Sequence, residues 1–526
     1  MNIRKLSHYL HGYDESLSSF LSKGLNFGFR LGFEGARVPF SSPNLKSAIQ
    51  NPSVMNTKIL KEVNCGRISG PYISPPFPTL RISPIGLQPK KTPGDFRMIH
   101  HLSYPPGSSV NSGIPDDKCS VSYTTVDAAI RAIKRCGRGA FMAKTDIQSA
   151  FRILPVHPDD YDLLGFCWNG QYYYDKCLPM GCSSSCRIFE AFSSALEWAA
   201  RTKLRISEIE HILDDFFIVG PDMPSCKLSL DTFIAMCNEV GVPLAPDKTL
   251  GPATVLSFLG IELDSIALEA RLPSDKLDKA RSEIRHLLSA KKATLKELQS
   301  LTGLLNFMTT VIIPGRAFLR RVIDLTCGLT KPHHHRNLNK AAKADLHIWL
   351  TFLDHYNGKS LFLDDRWLDS PALNLYTDSS KSIGFGVVFG RHWTFGNWEP
   401  PFKALNITVL EFYPIVLALH LWGVQLSNKC VVLHTDNQAL VSIINRRTSR
   451  DKACMHLLRK LVLFCMRNNI LFQAQHIPGL LNLQADALSR LQITRFRAVS
   501  TGFHMDPEPT RIEACLHHAN WLTPPK

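Results

Sequence analysis

Residues 211–220 read HILDDFFIVG. Two adjacent carboxylates, Asp214 and Asp215, stand in the middle of an apolar run. Taking an ionised carboxylate out of water costs on the order of several kcal/mol unless something pairs with it. Two acids side by side also repel each other. Short β-prone runs on either side of a polar centre predict a hairpin that lifts both acids to a turn. On its own an LDD triplet is an ordinary Asp-rich turn. A second segment changes that: GAFMAKTDI predicts a strand carrying Asp146 at its end. A third carboxylate from a neighbouring strand would complete a site for two divalent cations, which neutralise the clustered charge.

The chain has 526 residues, enough for several domains. Its net charge of +15 suits a polyanionic partner, although a generally basic protein has the same balance. The 14 cysteines form no paired CxxC modules, which argues against a zinc site or a disulfide scaffold and for reduced thiols. The start lacks an apolar signal core, and no apolar run is expected to reach membrane-spanning length. A soluble, intracellular protein is expected, cytoplasmic and/or nuclear, with no membrane partner.

Residues 1–70 show poor periodicity and predict a loop-rich N-terminal extension. Pro-rich text from 71 predicts extended chain, and a mixed α/β pattern runs from about 120. VDAAIRAIKRC and RIFEAFSSALEWAARTK predict helices. Residues 273–330 predict basic helices, with Ser274 as the N-cap of the first. PHHHRNLNK predicts a solvated connector within 331–370, ending in the helix DLHIWLTFLDHYNG. A fresh α/β pattern spans 371–492, and the tail 493–526 has no clear pattern.

Three more segments suit a nucleotide site. PKKTPGDFRMIHHL places Lys90, Lys91 and Arg97 around a Pro-Gly turn, fitted to grip a triphosphate. LPMGCSSS predicts a tight turn opening a helix, with Met180 and Gly181 where backbone can approach a base pair. PDKT puts Lys248 on a turn. The ordered series DFRMIHHLS, TDIQSAF, LPMG, ILDDFF, PDKT and FLGIEL resembles the fingers and palm of retroelement reverse transcriptases, over 90–265. That resemblance implies a right-hand polymerase of α+β or α/β multidomain class: fingers and palm over 71–272, a helical thumb over 273–330 and a connection over 331–370. It implies that Asp146, Asp214 and Asp215 hold two Mg²⁺ ions, with Mn²⁺ as a substitute. Arg97 with Lys90 or Lys91 matches the triphosphate pair, Phe151 the steric gate against a 2′-hydroxyl, and Lys248 the lysine that protonates pyrophosphate. Two positions depart from the family pattern: Ile212 replaces the usual Tyr of Tyr-x-Asp-Asp, and Met180 replaces Gln.

Four further acids recur in 371–492. Asp378 ends one strand of ALNLYTDSSKSIGFGVVFG, predicted as a pair of exposed-edge strands. Glu411 lies on ITVLEFYPIVLALHLWG, predicted as an amphipathic helix. Asp436 follows CVVLHT and is also a fair N-cap for the next helix. HIPGLLNLQADALSR carries His476, Asn482 and Asp486. The order resembles the ribonuclease H fold, and its closing segment resembles the retroelement form. The resemblance implies Asp378, Glu411, Asp436 and Asp486 as metal carboxylates and His476 as an aid to product release. Water would then cut the RNA strand of an RNA/DNA hybrid.

SPIGLQPKK, VNSGIP, LTGLLNF, IPGRAFLRR and LDHYNGKSL resemble the tyrosine-recombinase (DIRS-type) retrotransposons. The expected activity is RNA-directed DNA polymerase with ribonuclease H, acting on an RNA template, a DNA primer and dNTPs. A decayed or domesticated nucleic-acid-binding copy, or a chain with only the nuclease active, stays open. No recombinase, protease turn or integrase core is legible, so an element-encoded recombinase and a capsid-like protein are expected partners. The oligomeric state has no sequence signal.

Overall fold

The computed structural model describes residues 1–90, 94–355, 359–361 and 367–509. The chain divides into two compact units, Met1–Leu259 and Gly260–Lys526.

The first unit opens with helices, not loops. α1 (Ile3–Tyr9) and α2 (Glu15–Phe27) start on the side-chain caps Asn2 and Asp14, and α3 (Pro52–Asn64) follows. Leu6, Leu21, Leu25, Phe29 and Leu31 are buried in the same core as Ile147, Phe189 and Phe216. The loop-rich expectation for 1–70 is therefore corrected. Short helices with small apolar stripes leave little periodicity to read, and their burial comes from tertiary contact. The chain after α2 is clamped electrostatically. Buried Asp160 accepts from Arg30 Nε at 3.1 Å, Arg37 Nη2 at 2.6 Å and the Leu31 N–H at 2.8 Å. Burial opposes its charge, but these donors together hold its carboxyl below the ordinary value.

A hairpin of β1 (Ile85–Pro89) and β2 (Phe96–His100) pairs Gln88 with Arg97. α4 (Val126–Cys136) then leads into β3 (Phe141–Asp146). α5 (Ser185–Lys203) precedes the hairpin β4 (Ile209–Ile212) and β5 (Asp215–Gly220), and α6 (Met223–Val240) leads to β6 (Leu250–Ala253). These strands form one antiparallel sheet in the order β6-β3-β5-β4. Buried Phe192, Ala195, Leu196 and Phe233 from α5 and α6 share the core beneath it.

In the second unit, α7 (Ser274–Ser289) and α8 (Leu295–Met308) pack through buried leucines. Pro273, not Ser274, is the N-cap of α7, with no side-chain capping bond, and Ser274 is already helical. α8 carries a full capping box between Thr294 and Glu297. The triple-histidine segment is less of a loop than expected: His335–Asn337 pairs antiparallel with Lys292–Thr294. α9 (Lys340–His355) follows.

β7 (Leu375–Ser379), β8 (Gly384–Phe389) and β9 (His392–Asn397) form an antiparallel meander. Every residue of β8 is buried, so it is a central strand and not the edge strand its alternation suggested. α10 (Ile407–Trp422) is also not amphipathic. It is apolar nearly all round and buried from Leu410 onward on most faces. With the turn that follows, Ile407–Leu426 is long and apolar enough to span a membrane by length and composition. That corrects the expectation that no such run exists. It packs instead as a core helix on β7, β8 and α12 (Lys452–Arg467). β10 (Cys430–Thr435) and β11 (Leu471–His476) run parallel, separated by α11 (Gln438–Arg446) and α12. α13 (Leu483–Ser489) and α14 (Ile493–Val499) close the fold. The patternless tail covers the outer edge: Glu508 N–H donates to Trp393 O at 2.8 Å, and Phe496 packs on Trp393.

Asp160→Asn should destabilise the first unit by roughly 2–3 kcal/mol, because Arg30, Arg37 and the Leu31 N–H lose their shared charge. Urea unfolding measures it. An acid with a depressed folded pKa stabilises above its ordinary pKa and loses that contribution as pH falls through the folded value. The gap between variant and wild type should therefore close in acid. Equal stability at neutral pH would refute the clamp.

Candidate active sites

β3 lies between β5 and β6, and its register puts Asp146 directly opposite Asp215. Side chains paired this way have Cβ atoms about 4.5–5.5 Å apart on one face of the sheet. Asp214 sits beside them in the two-residue turn 213–214, with its carbonyl accepting the Ile147 N–H at 2.9 Å. The three acids are thus assembled by strand register. Leu213 takes φ +51° at the first central position of that turn, where glycine is favoured. A bulky residue there costs on the order of 1 kcal/mol, a cost found most often at functional sites.

The electrostatics follow from that crowding. Burial, then the Asp146 charge, push the Asp214 carboxyl up to about 6. Burial and Asp146 also raise Asp215, against the pull of Lys144 and Lys248. Lys248, on the turn Pro246–Lys248, donates to both carboxylate oxygens of Asp146 at 2.8 Å.

The expected substrate residues are distributed as follows. Phe151 is half-buried and packs on Phe189, 5.0 Å between centroids, after a sharp backbone reversal at Ser149 (φ +63°). Met180 is exposed. A Cβ at Gly181 would meet the His100 carbonyl at 1.9 Å, so only glycine lets this turn approach β2. Asn111, which sequence reasoning missed, clips that turn from both sides: Nδ2 donates to Gly181 O at 2.8 Å and Oδ1 accepts from Ser183 N at 3.0 Å. Arg97 is exposed on β2, and Lys90 pairs with Asp95 at 2.7 Å. Lys91 lies outside the described residues.

The second constellation draws on four elements. Asp378 is on β7 and Glu411 on α10. Asp436 follows β10, and Asp486 is on α13. Asn437, not Asp436, caps α11 by accepting from the Leu440 N–H, which leaves the Asp436 carboxylate uncommitted to the helix. Burial pushes Asp378 up to about 6, and the Asp436 and Asp486 charges add to it against a bond from Ser489. Burial likewise pushes Glu411 up to about 7, with Asp436 and Asp378 adding to it and an Asn437 bond opposing. Asp378 and Glu411 therefore both sense the Asp436 charge. His476 ends β11 in register with Thr435, next to Asp436, and a Cβ at Gly479 would lie 3.5 Å from Asp436 Oδ2. Buried Asn482 ties that loop to β7 by donating to Thr377 O at 2.8 Å. Arg490 and Arg495 hold the two oxygens of Asp486 at 2.7 and 2.9 Å.

The donor chemistry fits hard divalent cations: both sets are carboxylate oxygen, and Glu411 Oε2 is a buried acceptor with no hydrogen-bond partner. Among the described residues no three such side chains already close on one ion position. Asp146 is turned to Lys248, and Asp486 to the two arginines.

Below the first site lies a charged network that sequence reasoning also missed. His211 pairs through Nδ1 with Glu197, while Nε2 is 3.4 Å from Glu190 Oε1. Arg201 donates to Glu197 at 2.7 Å and to Glu210 at 3.2 Å. Burial opposes a charge on His211, but the two carboxylates outweigh it and push the imidazole up to about 9. A signal exists in the spacing: Glu190, Glu197 and Arg201 recur along one face of the helix at i, i+7 and i+11.

Neutralising one crowded acid should stabilise the protein. A carboxyl held at about 6 instead of 3.8 contributes stability below its ordinary pKa that is lost as pH rises through 6. Asp214→Asn at pH 7.5, without added divalent cation, should therefore gain roughly 1–2 kcal/mol, discounted for partial exposure. Mg²⁺ should raise the melting temperature of wild type more than that of the variant. A variant that melts at or below wild type would refute the repulsion.

No family model matches the chain. The Gag-Pro-Pol polyprotein of Mason-Pfizer monkey virus is 25% identical over 210 residues, 38% of this chain and 11% of the relative. The Pro-Pol polyprotein of feline foamy virus is 26% identical over 175 residues, 33% of this chain and 14% of the relative. Protein P of duck hepatitis B virus (strain China) is 24% identical over 164 residues, 31% and 20%. The match thus spans between a tenth and a fifth of the length of these relatives. Among solved structures, the foamy viral protease–reverse transcriptase dRH in complex with double-stranded DNA aligns at a TM-score of 0.52 and 15% identity, over 91% of this chain and 82% of that one. The foamy viral protease–reverse transcriptase with RNA/DNA hybrid gives 0.51 and 14%, over 90% and 63%. The chain has the multidomain α/β fold of these polymerases, as its ordered segments led us to expect.

Proposed function

We propose that the chain is an RNA-directed DNA polymerase with ribonuclease H, copying retroelement RNA into DNA and degrading the RNA strand of the resulting hybrid. The observation that carries this reading is the pairing of Asp146 with Asp215, beside Asp214, on the sheet of a fold shared with reverse transcriptases. Pol and P polyproteins as sequence relatives support it. The foamy viral proteins of this fold are solved with double-stranded DNA and with RNA/DNA hybrid, which favours the same partners here.

Asp146, Asp214 and Asp215 would hold two Mg²⁺ ions at the first site, and Asp378, Glu411, Asp436 and Asp486 two at the second. Bound ions supply charge stabilisation and a lowered pKa for the attacking hydroxyl or water. The rest falls to side chains. Lys248 reaches the first site as an ammonium and is placed to give a proton to leaving pyrophosphate. Phe151 would serve as the gate whose ring excludes a 2′-hydroxyl. Arg97 and Lys90 suit the triphosphate. His476, on the strand end beside Asp436, suits product release at the nuclease site. In this reading 71–272 are fingers and palm, 273–330 the thumb, 331–370 the connection and 371–492 the nuclease domain. Segments such as SPIGLQPKK and LTGLLNF favour a DIRS-type source, with an element-encoded recombinase and capsid-like protein acting alongside in the cytoplasm or nucleus.

Primer extension on RNA and DNA templates, with dNTPs against rNTPs, tests the polymerase. Wild type should extend with dNTPs in Mg²⁺, and Asp214→Asn should lose at least about a thousandfold. Hybrid cleavage should survive Asp215→Asn and vanish in Asp436→Asn. Hybrid binding without turnover at either site would instead identify a decayed, binding-only protein, and cleavage without extension a nuclease alone. A separate substitution checks the gate: Phe151→Val should admit rNTPs at least about tenfold better relative to dNTPs. Unchanged sugar selection would remove Phe151 from that role.

A further inference from the structure

The Leu213–Asp214 turn is strained at Leu213. Among the described residues, its side-chain tether from outside the hairpin is Glu190 of α5, whose Oε2 accepts the Leu213 N–H at 2.9 Å. Glu190 is itself buried, with about 7% of its surface exposed. Its other oxygen, Oε1, faces His211 Nε2 at 3.4 Å. His211 is gripped on its opposite nitrogen by Glu197, and its ring stacks on Phe216, 5.5 Å between centroids. Ser194 Oγ also faces Nε2 at 3.4 Å. Arg201 fixes Glu197 and Glu210 in turn, and Thr124 Oγ1 donates to the far oxygen of Glu210 at 2.8 Å. The backbone N–H between Ile212 and Asp214 is therefore bound to a carboxylate whose second oxygen lies 3.4 Å from an imidazole that Glu197 grips on its other nitrogen.

We propose that Glu190, locked by His211 and Glu197, is a positioning residue for nucleotidyl transfer: it holds the Leu213 N–H and so fixes where Asp214 and Asp215 stand opposite Asp146. The inference rests on the polymerase reading. A carboxylate displaced by about 1 Å at such a centre is felt as a large loss of rate rather than of substrate affinity. Glu190 touches no reacting atom; it acts only through the turn. A bond from an N–H to a carboxylate is stronger than one to a neutral oxygen, and the buried imidazolium offsets the cost of keeping that carboxylate charged.

The test compares Glu190→Ala, Glu190→Gln and His211→Gln in the full chain. Three readouts are followed: steady-state primer extension, the Mg²⁺ concentration for half-maximal rate, and hydrogen–deuterium exchange of the peptide covering 209–216. Hybrid cleavage by the same preparations reports on the second unit and thermal unfolding on the first, and both are expected to stay at wild-type level. Glu190→Ala should lower kcat at least about tenfold with KM for dNTP within about twofold, and raise the Mg²⁺ requirement several-fold. Its Leu213 amide should lose protection. Glu190→Gln keeps an acceptor oxygen and should recover kcat to within about threefold of wild type with protection restored. His211→Gln should fall between them. Glu190→Ala with wild-type kcat and wild-type protection would overturn the proposal. So would Ala and Gln variants equally impaired, which would mean that the charge matters and neither the bulk nor the hydrogen-bond acceptor does. An inactive wild type would count against the polymerase reading itself and is thereby distinguished.

Discussion

Two aspartates are forced to face each other across neighbouring strands, and the architecture around them answers that repulsion. The register of β3 and β5 fixes Asp146 opposite Asp215, and the turn adds Asp214. None of these can move away without breaking the ladder that pairs residues 141–146 with 215–220. The charge must be met from outside the pair. Lys248 meets part of it by spanning both oxygens of Asp146. The shifted Asp214 and Asp215 carboxyls record what is left. Divalent cations suit that remainder, which ties the sheet register to the proposed chemistry.

The second constellation reaches a similar electrostatic state by a different route. Its acids come from an antiparallel strand, a largely buried helix, the end of a parallel strand and a short C-terminal helix. Small polar residues around them take over the ordinary structural jobs. Asn437 caps α11, so Asp436 does not have to. Asn482 pins the loop before α13 to the backbone of β7, and Ser489 donates to Asp378. Freed from capping and packing duties, the carboxylates are held by their neighbours for each other.

Both constellations depend on support that lies far away in the chain. The helices of the first 64 residues bury Leu6, Leu21 and Leu25 against the core that carries the β4–β5 hairpin. The Asp160 clamp fastens the segment after them. Residues 503–508 cover the edge of β9 through Trp393 and Thr394. Segments that look peripheral in the sequence thus complete the core of one unit and the sheet edge of the other.

The sequence by itself singled out the acids and the local elements. Ordered short segments named the acids, and the strand of Asp146, the ILDDFF hairpin and the helix over 185–203 follow from apolar periodicity and turn residues, which are local. Tertiary structure decided what depends on neighbours. It made β8 central and α10 buried on most faces, since burial on the second face comes from partners that periodicity does not show. It moved the cap from Asp436 to Asn437 and from Ser274 to Pro273, because one residue of backbone geometry separates those choices. It alone brought Glu190 and His211 under the turn, because a buried ion network is built from residues that meet only once helix and hairpin have packed.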